Sequence, residues 1–158
     1  RYDPDGNLIE LVKPDKTLRF RYDAAGRMIE LSDGESKTYY RYDETNRRIA
    51  KISDISGETR FIYQGQNELG TLDREGEIRI LGGTVHGAEI GSTVAIEKQG
   101  KILCPVHDHN GNICCVIDAE SGSNAATYRY SAFGMVKAQE GLSISWGFSS
   151  KRRDDESG

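Results

Sequence analysis

An all-β fold of tandem hairpins is what this sequence predicts. Three observations carry that expectation: a phrase repeated every twenty residues, alternation of apolar and polar side chains before each copy, and a turn slot that takes only glycine or asparagine. The phrase runs Arg1-Tyr2-Asp3-Pro4-Asp5-Gly6-Asn7-Leu8-Ile9, then Arg21-Tyr22-Asp23-Ala24-Ala25-Gly26-Arg27-Met28-Ile29, then Arg41-Tyr42-Asp43-Glu44-Thr45-Asn46-Arg47-Arg48-Ile49. A period held this strictly marks a repeat architecture, in which function resides in the assembled surface more often than in one catalytic cluster.

Alternation defines the strands. Leu18, Phe20 and Tyr22 fall on one side of an extended chain and Thr17, Arg19 and Arg21 on the other, the pattern of a half-buried strand. The same register places Thr38, Tyr40 and Tyr42 against Lys37, Tyr39 and Arg41, and a fourth copy sets Thr59, Phe61 and Tyr63 against Arg60 and Ile62. After each tyrosine comes turn chemistry. An Asp carboxylate can accept from backbone two residues on, and the slot four after the tyrosine must tolerate positive φ. Gly6, Gly26, Asn46 and Asn67 are read into that slot, with Gln64 replacing the turn Asp in the fourth copy. Further junctions are read at Leu72-Asp73-Arg74-Glu75-Gly76, His107-Asp108-His109-Asn110-Gly111 and Tyr130-Ser131-Ala132-Phe133-Gly134. Twenty residues hold two short strands and two tight turns, so each repeat is one hairpin of a curved antiparallel sheet. Gly82-Gly83-Thr84-Val85 and Glu97-Lys98-Gln99-Gly100-Lys101 read as further turns.

Three segments follow: 1–67 with clear repeats, 68–103 where the repeat degenerates, and 104–158. The hydrophobic fraction of 36% and mean hydropathy of −0.62 are lean for a compact two-layer core, so a single sheet layer is expected. A net charge of −4 with interleaved signs offers no basic stripe for nucleic acid. No apolar run is long enough to span a bilayer. The chain starts without Met and inside a repeat, which reads as a piece of a longer polypeptide.

Candidate chemistry is sparse. Cys104, His107, Asp108, His109, Cys114 and Cys115 gather soft and imidazole ligands, but their spacing matches no standard zinc finger, and a turn explains Asp108 and Gly111 without metal. Alternation sends the adjacent Cys114 and Cys115 to opposite faces. Asp3-Pro4-Asp5-Gly6-Asn7 and Asp108-His109-Asn110-Gly111-Asn112 resemble the opening of a calcium loop, yet glycine comes too early and no bidentate Glu closes it. Asp154, Asp155 and Glu156 beside Arg152 and Arg153 read as a solvated charge run. No catalytic residue, cofactor or metal ligand is therefore assigned. The aromatic series Phe20, Tyr22, Tyr39, Tyr40, Tyr42, Phe61, Tyr63 reads as packed sheet face, with sugar or choline stacking as the alternative.

The phrase Arg-Tyr-Asp-x-x-Gly-(Arg/Asn)-(Leu/Met)-Ile resembles the tyrosine-aspartate repeat of Rhs proteins, whose relatives include Tc-toxin C subunits and teneurins. The stretches His107–Asn112, Val116–Gly122, Tyr128–Gly134, Trp146–Lys151 and Asp155–Gly158 resemble, in order, the start of the Rhs-associated core segment. What the resemblance implies is a β-ribbon spiralling into a shell around a C-terminal effector, commonly a toxin, in a secreted or cell-surface bacterial protein of the polymorphic-toxin kind used in interbacterial competition. It implies self-cleavage by aspartates downstream of Gly158, so no proteolytic residue is carried onto this chain. The implied partners are flanking repeats and effector cargo of the same parent chain; a glycan or protein partner belongs to the alternative reading of a surface recognition module. Tyr2, Asp3, Gly6, Tyr22, Asp23, Gly26, Tyr42, Asp43, Asn46, Tyr63, Asn67, Asp108, Gly111, Tyr130 and Gly134 are expected to carry the repeat geometry.

Overall fold

The computed structural model describes residues 1–72, 76–82, 92–154 and 156. The expected turn at 72–76 and most of that at 82–85 lie outside the described residues, as do Asp155, Ser157 and Gly158. The chain is all-β, with thirteen strands of antiparallel hairpin sheet, and divides into two compact units at Ile62/Tyr63.

The first unit holds β1 (Glu10–Val12), β2 (Thr17–Tyr22), β3 (Met28–Ser32), β4 (Lys37–Tyr42), β5 (Arg48–Ser53) and most of β6 (Gly57–Gln64). Each of these strands pairs antiparallel with its chain neighbour. Alternation falls as the residue types require: Leu18, Phe20, Thr38, Tyr40, Thr59 and Phe61 are buried, while Arg19, Arg21, Lys37, Arg41 and Arg60 are exposed. Leu18, Phe20, Leu31 and Tyr40 form the core of this unit. Arg48 lies over the rings of Tyr40 and Phe61, 5.2 and 5.0 Å from their centroids, so its guanidinium covers aromatic surface while keeping contact with solvent.

The second unit holds β7 (Asn67–Leu72), β8 (Glu77–Leu81), β9 (Thr93–Lys98), β10 (Lys101–His107), β11 (Ile113–Asp118), β12 (Asn124–Tyr130) and β13 (Val136–Gly141), then a 3-10 turn at Phe148–Ser150. The strands pair antiparallel in chain order. This unit departs from the single layer expected from composition. The segment after β13 crosses one face of the sheet, and its Ile144 and Trp146 join Ile96, Leu103, Ile113, Val116, Ala126 and Tyr128 in one core. A covered face explains how so lean a sequence excludes water here.

Segment 68–103 is regular sheet wherever it is described, but β8 inverts the usual rule: Glu77 and Arg79 are buried while Ile78 and Ile80 are 42% and 59% exposed. The turn expected between β9 and β10 is present, with Gln99 and Gly100 both at positive φ. One turn slot is corrected. Asn67 opens β7 and lies outside the positive-φ region; Gly65, at φ 59, makes the turn. Having lost the Asp at Gln64, the fourth copy closes with a shorter loop that needs its flexible residue two positions earlier.

Candidate functional site

The repeated Tyr-Asp turn is the first candidate, and four copies have the same bonding. In each, one Asp carboxylate oxygen accepts two backbone N–H groups, two and four residues on: Asp3 from Asp5 and Asn7, Asp23 from Ala25 and Arg27, Asp43 from Thr45 and Arg47, Asp108 from Asn110 and Asn112. The second oxygen takes a side-chain donor from the residue after the glycine slot: Asn7, Arg27, Arg47 or Asn112, at 2.7–2.9 Å. The fourth residue must turn left-handed, and Gly6, Gly26, Asn46 and Gly111 stand at φ 86, 74, 65 and 76. In the last copy Ser131 replaces Asp, and its hydroxyl accepts from Phe133 and Met135 N–H before Gly134 at φ 84.

These bonds hold the turn carboxylates below the ordinary range, as charge-stabilising donors must. The Asn7 amide does so for Asp3, the Arg27 side chain for Asp23 and the Asn112 amide for Asp108. At Asp43 desolvation pushes upward, and the donors from Arg47 and Thr45 outweigh it.

The tyrosines add a bond that residue type alone did not reveal. The Tyr22 hydroxyl donates to Leu8 O, Tyr42 to Met28 O and Tyr130 to Ile113 O, at 3.1, 2.8 and 3.0 Å. The acceptor is always two residues past the glycine of the preceding turn. The signal was the choice of Tyr over Phe at the slot before Asp, since a half-buried ring that carries a hydroxyl needs an acceptor. Each of these strands also carries a bulge at its tyrosine slot, with Ile29, Ile49 and Lys137 as the extra residues. Cys114 takes that slot opposite His107, so strict alternation with Cys115 does not govern it.

The second candidate is the clasp across the face of the second sheet. Ser145 N–H and Oγ donate to the buried Glu77 carboxylate, and Lys98 Nζ reaches Ser143 O at 2.8 Å and Glu77 at 3.7 Å. Trp146 is 1% exposed, with Arg79 and Arg152 over its ring at 5.0 and 4.7 Å. Arg152 pairs with Glu68 at 2.5 Å, and Arg79 donates to Glu68 O, Thr93 Oγ1 and Ser150 O. Burial pulls the Arg79 pKa down. The expectation of a solvated charge run thus fails at Arg152, because Trp146 and Glu68 supply a sheltered partner.

Ser149 and Ser150 both adopt positive φ, 50 and 52, and are pinned by Asn112 Oδ1 to Ser149 N–H and by a 2.9 Å bond between His107 Nε2 and Ser150 Oγ. His107 therefore occupies a tyrosine slot and serves the clasp. Tyr128 and Tyr130 face the same segment; burial raises both hydroxyls, Tyr130 to about 12.

The residues weighed for metal are dispersed in role. Cys114 Sγ points to Val106 O and Cys115 Sγ to Asn124 Oδ1, and no group of three or more His, Cys, Asp or Glu converges among the described residues. Of the aromatic series, Phe20, Tyr40 and Phe61 are buried and Tyr22 and Tyr42 half-buried, while Tyr39, 38% exposed, faces the other way.

Residues 2–38 match the RHS Repeat family model. No curated protein matches the chain. Among solved structures, the Photorhabdus luminescens Tc holotoxin pore superposes over 98% of this chain with a TM-score of 0.69 at 17% identity. Crystal structures of TcdB2-TccC3 and of TcdB2-TccC3-Cdc42 each superpose over 87% with a TM-score of 0.62, at 17% and 16% identity. The chain spans 8% of the length of each matched chain, and identities this low speak for the fold. With the Tyr-Asp-x-x-Gly turn bonded alike in copy after copy and the family model matching the first two copies, the chain belongs to the RHS repeat family and has the all-β fold found in Tc toxin assemblies.

Proposed function

We propose that this chain is wall: part of a shell of β-hairpins that encloses a C-terminal toxin or effector of the same parent polypeptide until delivery. The observation that supports it best is the burial of the inward aromatics, with Tyr40 at 3%, Phe20 at 8% and Phe61 at 9% exposure. A sugar-stacking groove would need those rings open to solvent. Every conspicuous side chain of the repeat instead closes a turn or ties one hairpin to the next, which is how a sheet becomes a barrier: its backbone groups are spent on neighbouring strands. Segment 104–158 is assigned to the start of the core region that follows the repeats. The chain is given no catalytic residue and no cofactor. Its partners are the flanking repeats and the cargo, and its place is a secreted or surface-exposed bacterial protein, by analogy with the family.

Limited proteolysis of the full parent protein tests this. The region C-terminal to this chain should resist protease in the intact parent and become cleavable once the wall is opened by Gly26→Pro together with Gly6→Pro. Equal cleavage in both would remove the enclosing role. Aspartate substitutions downstream, read by the release of a C-terminal piece, separate a self-cleaving parent from one that only shelters its cargo.

A further inference from the structure

Beside the clasp, the second unit has a pocket of about 400 Å³ between the β12–β13 turn and the segment 144–153. That volume suits one bulky side chain and its neighbours. Tyr130, Phe133, Met135, Trp146 and Phe148 are in its wall. Phe148 meets the Tyr130 ring edge to face at 5.9 Å, so this side is rigid. On the other side Phe133 and Met135 are 93% and 69% exposed, the highest exposure of any aromatic or methionine among the described residues. Large apolar side chains left in water at the mouth of an apolar pocket mark an interaction site.

Charge says what kind of partner fits. Lys151, Arg152 and Arg153 all contribute to the lining, and no carboxylate does among the described residues, although the whole chain carries a net charge of −4. Arg152 is taken by Glu68 and Trp146; Lys151 and Arg153 are exposed. The buried indole N–H of Trp146 has no hydrogen-bond partner, an uncommon state for a buried donor. The backbone beside the pocket favours a peptide. Val136, also in the wall, opens β13, which pairs with β12 and with no other strand among the described residues. An extended segment laid along β13 would gain main-chain bonds while seating a side chain in the pocket.

We propose that this pocket binds an extended acidic peptide segment, with one bulky apolar side chain inserted among Tyr130, Phe133 and Phe148 and flanking carboxylates facing Lys151 and Arg153. The site is independent of whether the parent encloses cargo. It needs only the second unit's own residues.

The test uses the full chain and the blocked peptide acetyl-Asp-Glu-Phe-Asp-Glu-amide, with the emission of Trp146, the sole tryptophan, and the amide shifts of Phe133, Met135 and Val136 as readouts. Saturable binding is expected. It should weaken about fivefold or more for the Asn/Gln counterpart of the peptide and for Lys151→Glu, and disappear when the peptide's Phe is Ala. Phe133→Ala, at an exposed position, should keep the fold and weaken binding. Blue-shifted Trp146 emission with no saturable response would overturn the site, since it reports a folded clasp that binds nothing. Equal binding of the neutral peptide would overturn the charge assignment, and an equal response to octanoate would overturn the peptide. None of these outcomes touches the protease result on the parent, so failure of the pocket and failure of the wall are told apart.

Discussion

Replacing Gly26 isolates the backbone cost of the repeat turn. Its φ is +74, and a Cβ built there meets nothing nearer than Asn7 Oδ1 at 4.0 Å, so a new side chain finds room and the penalty comes from the left-handed conformation alone. An L-residue held there costs roughly 1–2 kcal/mol, asparagine least and a β-branched residue most. Gly26→Val is therefore expected to destabilise by about 2 kcal/mol and Gly26→Asn by less than about 1 kcal/mol. With a urea slope of about 2 kcal/mol per molar, valine should move the midpoint down by about 1 M. Circular dichroism during urea unfolding reads the shift. The third repeat supplies a control, because Asn46 already sits at φ 65 and its Oδ1 accepts from Arg27 Nη1 at 3.0 Å. Asn46→Gly relieves the strain and loses that bond, two effects of about 1 kcal/mol each, so it should be nearly neutral. Valine no worse than asparagine at position 26 would refute the turn geometry.

The turn carboxylates should make the fold acid-sensitive. Asp3, Asp23, Asp43 and Asp108 are held below their ordinary values in the folded state, so their contribution is complete above the unfolded value of about 3.9 and is lost as pH falls through the lower folded values. Melting temperature should stay level from neutral pH to about 5 and drop below about 4, with a shallower drop in Asp23→Asn; a rise on acidification contradicts this. Glu77→Ala leaves Lys98 and Ser145 without their buried acceptor and should cost about 3 kcal/mol, with Trp146 emission moving to the red as the clasp loosens. At Gly70 a Cβ would stand 2.2 Å from Glu77 O, so Gly70→Ala must part β7 from β8 and should cost about 2 kcal/mol or more, seen as faster amide exchange in both strands.

Much of the first unit could be read directly from residue type. Leu18, Phe20 and Tyr40 alternate with arginine and lysine, and burial follows at each. Gly6, Gly26 and Asn46 betray the left-handed slot because few residues tolerate it. The fourth turn was misplaced because Gly65 and Asn67 both qualify once the Asp is gone, and spacing pointed to the wrong one. The second unit resisted for a different reason. On β8 the charged residues face inward and the isoleucines outward, so hydrophobic alternation assigns the faces in reverse. What reverses them is the clasp: Glu77 waits for Ser145, 68 residues away, and Glu68 for Arg152, 84 residues away. No local window contains both partners.

The same bonds explain why the repeat conserves residues that bury little. Arg27 clamps its own Asp23, but it also reaches forward, with Nη1 3.4 Å from Asp43 O and 3.0 Å from Asn46 Oδ1 and its guanidinium 5.1 Å from the centroid of Tyr42. Tyr42 in turn reaches back to Met28 O. One turn is thus cross-linked to the next from both sides. In a repeat array stability is a sum of unit and nearest-neighbour terms, and a lone twenty-residue hairpin is marginal in water. The neighbour terms must therefore supply the cooperativity, and here they sit at the turn end of the hairpins. Cutting Arg27 back to alanine should uncouple adjacent turns without unpacking Leu18 or Phe20, so that amide exchange quickens first in Asp43–Arg47 and only later in β2. Exchange rising uniformly through β2 to β4 would place the coupling in the core instead.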